Sequence, residues 1–119
     1  MPTYDQLEKS LVTIASELYR FEKVFVKAVD RLDIDERNKY VSQFSWFAKR
    51  VDKAMKEAGL KLLNMEGKLY DPGMAVTPLN IEEFENEDEL YIEQMIEPII
   101  MKDDELYKMG TAILGRIKE

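Results

Sequence analysis

The side chains best suited to chemistry in this 119-residue chain are carboxylates, and six of them fall within IEEFENEDEL, residues 81 to 90. Clustered carboxylates are ligands for calcium or magnesium. The run lacks the glycine turn and alternating spacing of a calcium loop, so it reads as a solvated loop or one helical turn, with no metal ligand assigned. Histidine and cysteine are both absent. That removes Ser-His, Cys-His and histidine-zinc chemistry, along with disulfides and thiolate metal sites, and fits a reducing compartment. An enzyme would have to work with carboxylates, lysines or tyrosines, and the chain has neither a phosphate-binding glycine loop nor a nucleophile elbow. The expectation is a protein with no catalytic residues and no cofactor.

The stretch LYDPGMAVTPL, residues 69 to 79, holds two prolines and a glycine between apolar residues. It reads as a folded corner rather than a linker, with Leu69, Tyr70, Val76 and Leu79 as apolar anchors on either side of an Asp-Pro-Gly turn. Met74 and Met109 each stand beside a glycine and suit adaptable, exposed contacts; the other methionines read as core filler.

The net charge of −7 is unevenly spread: residues 1 to 59 carry 11 Lys/Arg against 10 Asp/Glu, and residues 60 to 119 carry 6 against 14, giving +1 and −8. The asymmetry suggests two parts with different surfaces. An acidic second half disfavours nucleic acid, which needs a basic face, and favours a basic or mixed protein surface; alternatively the acids serve solubility alone. No run of eighteen apolar residues and no secretory-type start is present, so the chain reads as non-membrane and cytoplasmic.

The elements that must carry these residues differ between the halves. Tyr4, Leu7, Leu11, Ile14, Leu18, Phe21, Phe25, Ala28 and Leu32 alternate three and four apart, a heptad seam on a helix about 45 Å long. Val12, Ala15, Tyr19, Val26 and Val29 form a second stripe, which widens the apolar face beyond a two-stranded coiled coil. LDIDER breaks the pattern, with Asp33 or Asp35 able to cap a second helix running to about Ala58 and stopped by Gly59. Phe44, Phe47, Val51, Ala54 and Ala58 line that helix, and Trp46, off the seam, either widens the packing face or sits at an interface, with packing the preferred assignment. This hairpin has more apolar surface than it can cover itself, so the simplest arrangement is a homodimer giving four helices, with Leu11, Leu18, Phe21, Phe25, Phe44, Phe47 and Val51 at the interface.

After Gly59 the stretches LKLLN, KLYD, AVTPL and LYIEQMI read as short strands separated by turns. IEPIIM and ELYKMGTAIL flank a polar turn at Lys102 to Glu105, and Pro98 implies an edge or a bulge because proline cannot donate to a ladder. The fold class is therefore α+β: residues 1–59 a helical dimerisation region, residues 60–119 a small β-domain.

A helical hairpin followed at once by a compact β-domain resembles the GrpE family, nucleotide exchange factors of DnaK-type chaperones. FVKAVDRLD, residues 25 to 33, is similar to a family helix that ends in Asp-Arg-Ala-Leu. WFAKRVDKAMKEAGLKLLNMEGKLYDPGMAV, residues 46 to 76, carries a helix ending in Gly59, the strand LKLL, and the aromatic-Asp-Pro signature as Tyr70, Asp71 and Pro72. The closing hairpin from Tyr91 to Leu114 has the family's length and rhythm. The sequence departs at DPGMAV, where the family's His-Glu-Ala is missing, at Pro98, where the family has glycine, and in lacking the long N-terminal helical extension. The resemblance implies a homodimer whose β-domain inserts against the chaperone's nucleotide-binding domain and promotes ADP release, with Asp71, Pro72, Met74, Tyr107 and Met109 as partner-binding residues. The alternatives are a dimeric adaptor of the same fold for another protein partner and, resting on the acidic run alone, a carboxylate-metal enzyme.

Overall fold

The computed structural model describes residues 1–117. They form two compact units, Met1–Leu60 and the chain from Lys61 on. Two long helices, α1 (Tyr4–Val29) and α2 (Ile34–Glu57), precede six short strands: β1 (Leu60–Leu63), β2 (Val76–Pro78), β3 (Leu90–Glu97), β4 (Ile99–Lys102), β5 (Glu105–Lys108) and β6 (Gly110–Arg116). A single 3-10 turn, Ile81–Glu83, lies between β2 and β3. No described helix is long and apolar enough to cross a membrane.

Helix α1 starts at a reciprocal cap that the sequence signals as TYDQ and that the hydrophobic spacing alone passes over. The Gln6 N–H donates to Thr3 Oγ1 at 3.1 Å, and the Thr3 N–H donates to Gln6 Oε1 at 2.8 Å, satisfying two otherwise orphaned donors. The helix stops at Val29, with Asp30 as its C-cap, so its 26 residues span about 39 Å rather than about 45 Å. Leu32, the last residue of the seam, lies beyond it. Asp33 caps α2 by accepting the Glu36 N–H at 3.0 Å. The helix ends where Gly59 takes φ 77°, a conformation glycine adopts without strain.

Which stripe of α1 is covered is a finding of the structure. Val12, Ala15 and Val29, all in the second stripe, are buried, whereas the main-seam residues Leu7 (55% exposed), Ile14 (64%) and Phe21 (54%) are open to solvent. Between the helices Phe25 stacks on Phe44 with ring centroids 4.7 Å apart, flanked by Phe21 and Phe47 at 6.4 and 6.3 Å. Stacking of this kind adds to the burial of the rings themselves. Trp46 does not take the packing role expected of it: it is 62% exposed, with the Arg50 guanidinium 4.8 Å from its ring centroid. Phe44 faces α1 here, while Phe47 touches the Phe44 ring from a half-open position at 50% exposure.

The second unit holds two three-stranded sheets, ordered β1-β4-β5 and β2-β6-β3. The chain from Leu90 to Arg116 is one long hairpin that changes sheet halfway, so the two stretches read as continuous strands are each divided. On the outgoing side the break is Pro98, fully buried between β3 and β4, next to a register shift between Met95 and Glu97. On the return side it is Met109, between β5 and β6. The missing proline donor and the bulge let the strand bend without wasting ladder bonds. The Met95 N–H donates to Glu66 Oε2 at 3.0 Å. Asp103 and Asp104 close the hairpin with φ of 48° and 69°, the two-residue turn whose twist matches the strands. The buried apolar residues of this unit include Val76, Leu90, Ile92, Met95, Ile99, Ile100, Ala112 and Leu114.

KLYD is less than a strand. It contributes a single bridge, Leu69 to Tyr91, although the Gly67 and Tyr70 N–H groups donate to the Ile92 and Leu90 carbonyls at 2.8 Å. Of the four apolar anchors expected around the corner, Val76 is buried and Tyr70 half-buried, while Leu69 and Leu79 are exposed.

Candidate protein-binding surfaces

The Asp71 corner is a hydrogen-bonded turn. The Met74 N–H donates to the Asp71 carbonyl at 2.9 Å, the Gly73 N–H to Asp71 Oδ1 at 3.1 Å, and the Asp71 N–H to Met74 Sδ at 3.2 Å. An aspartate that accepts from the backbone two residues on makes an Asx turn, which fixes the loop without a packed core beneath it. Asp71 and Pro72 are exposed and Met74 half-buried.

Met109 is tied to this corner through its neighbour, since the Gly110 N–H donates to the Ala75 carbonyl at 3.0 Å and Val76 stands opposite Gly110 in the β2–β6 register. Met74 and Met109 therefore each lie one residue from the same hydrogen bond. Tyr107 is not part of this group: it sits half-buried on β5, in the other sheet.

A groove of about 520 Å³ opens between α1 and α2, lined by Phe25, Val26, Val41, Phe44 and Ala48 with Glu22, Ser45, Lys49 and Asp52 around them. Among the seven residues assigned to a dimer interface, Leu11, Phe21 and Phe47 are exposed, whereas Leu18, Phe25, Phe44 and Val51 are half-covered within the single chain.

A second groove, about 590 Å³, lies in the β-unit, where Leu69, Tyr70 and Pro72 of the corner meet Ile81, Phe84, Glu85 and Leu90 of the acidic stretch. The two stretches are separated in sequence by β2. The signal that joins them is Phe84, an aromatic residue inside a run of acids, where a purely solvated loop has no use for one. Among the described residues no three carboxylates converge as they would around a metal ion.

Comparison with known proteins gave no match: no family model, no curated protein and no solved structure aligns with the chain.

Proposed function

We propose that the protein is a dimeric, non-enzymatic protein-binding factor of the GrpE kind, which docks its β-unit on the nucleotide-binding domain of a DnaK-type chaperone and promotes ADP release. The observation that supports a dimer is the uncovered seam of α1; the chaperone as partner rests on the resemblance at Tyr70, Asp71 and Pro72. Leu7, Leu11 and Ile14 are exposed in succession, with Phe21 exposed beyond the half-covered Leu18; this is more than isolated surface residues explain, and a second copy packing four helices together would cover it. The β-unit then supplies the chaperone contact through Asp71, Pro72, Met74 and Met109, with Tyr107 a separate contact on β5. Exchange of this type is differential binding: the factor must hold the open, ADP-releasing state of the chaperone more tightly than the closed one.

Stopped-flow release of labelled ADP from DnaK-type chaperones of the same organism tests it. Acceleration that saturates with added protein supports the reading, and no acceleration with any of them overturns it. Binding to such a chaperone without acceleration favours the second reading, a dimeric adaptor that shares the architecture.

A further inference from the structure

We propose that the groove formed by the Asp71 corner and the acidic stretch receives a short segment of a partner protein in which lysine or arginine alternates with leucine or phenylalanine. The inference stands on the groove's own chemistry and does not rest on the exchange reading. Its apolar surface comes from Leu69 and Ile81, which are exposed, and from Tyr70 and Phe84, which are half-buried. Its charge is of one sign. Residues 81 to 90 contain six acids and no base, and of the acids that line the groove only Asp88 is engaged, accepting the Glu85 N–H at 2.9 Å and pairing with Arg116 at 3.8 Å. Glu85 and Glu89 are exposed and make no ion pair among the described residues.

A groove lined by both apolar side chains and unpaired carboxylates selects its occupant. A wholly apolar segment would cover the carboxylates and strip them of water without compensation. An acidic segment or a nucleic acid would be repelled. A lysine or arginine can set its charge against Glu85 or Glu89 while its aliphatic stem covers Leu69 or Ile81, and aromatic side chains such as Tyr70 and Phe84 suit the same cation. A leucine or phenylalanine next to it covers the remaining apolar lining. The size is within the range of sites that enclose a few side chains.

Fluorescence anisotropy with the full chain and a fluorescein-labelled peptide of alternating lysine and leucine tests the assignment. The expected result is saturable binding with a Kd on the order of micromolar, weakened at least about tenfold by the double change Glu85→Lys and Glu89→Lys. Both positions are exposed, so circular dichroism is expected to be unchanged, and a single Leu69→Ser variant provides an independent loss of binding. A peptide with serine in place of leucine is expected to bind at least about tenfold more weakly. The proposal is overturned by absence of binding, by equal binding of the serine peptide, or by indifference to both variants. It is also overturned if backbone amides of residues 69–90 shift with protein concentration alone, which would make a second copy the occupant.

Discussion

The side-chain amide of Asn80 exchanges two hydrogen bonds with the backbone of Leu114: Nδ2 donates to the carbonyl at 3.0 Å, and the Leu114 N–H donates to Oδ1 at 2.9 Å. Val76 and Pro78 stand opposite Gly110 and Ala112, and the Leu79 N–H donates to the Ala112 carbonyl at 2.9 Å. Asn80 is the next position in that parallel register, so its side chain continues the ladder where the backbone turns away into the 3-10 turn. It thereby fixes where the acidic wall of the groove begins. Asn80→Ala leaves two partly buried backbone groups unpaired and is expected to cost about 1–3 kcal/mol. The check is a lower urea midpoint with an unchanged slope. An unaltered midpoint would show that water replaces the amide at no cost.

Gly110 is required by space rather than by backbone angle. A Cβ there would stand 2.7 Å from Met95 Cε, 2.8 Å from the Glu97 carbonyl oxygen and 3.1 Å from the Ile99 nitrogen. The methionine end can move, but the two backbone atoms belong to the bend around Pro98 and cannot. Gly110→Ala is expected to destabilise the β-unit by about 1–3 kcal/mol, as overpacking does, measured by chemical denaturation. The same change at Gly67, where no atom lies within 4 Å of an added Cβ but φ is +85°, tests strain alone.

The exposed seam predicts self-association. Sedimentation of the native protein at micromolar concentration is expected to give twice the 14.0 kDa chain mass, and Leu11→Glu with Phe21→Glu to return it to one. Both residues are exposed in the single chain, so helix content should survive the change. Leu18 and Phe25 are poorer probes because Phe25 also stacks on Phe44 within the hairpin. A native particle of one chain mass refutes the dimer without any variant.

The turn between β4 and β5 carries an avoidable strain. Asp103 and Asp104 both take positive φ. Aspartate tolerates this conformation better than most residues, but glycine adopts it freely. Asp104→Gly is expected to raise stability by about 0.5–1 kcal/mol, read as an increase in the midpoint of thermal or urea unfolding. A loss of stability would mean that the aspartate makes a contribution the turn geometry does not account for.

The sequence by itself determined the local units. The three-and-four spacing from Tyr4, a cap at Asp33 or Asp35 and Gly59 place both helices to within a few residues, because helix periodicity and capping depend on neighbours only a turn away. The Lys102–Glu105 turn is legible for the same reason, and Pro98 announces an edge or a bulge by its missing donor. What tertiary structure decided is which surfaces meet. Two apolar stripes on α1 compete for one partner helix, and burial of Val12 and Ala15 rather than Leu7 and Ile14 depends on how α2 lies against α1. Division of the closing hairpin between two sheets depends on the fit of Gly110 against Met95 and Glu97, atoms thirteen or more residues away. The groove joins Leu69 to Phe84 across β2. Hydrophobic burial is non-directional, so a pattern states how much surface must be covered, and only packing selects what covers it.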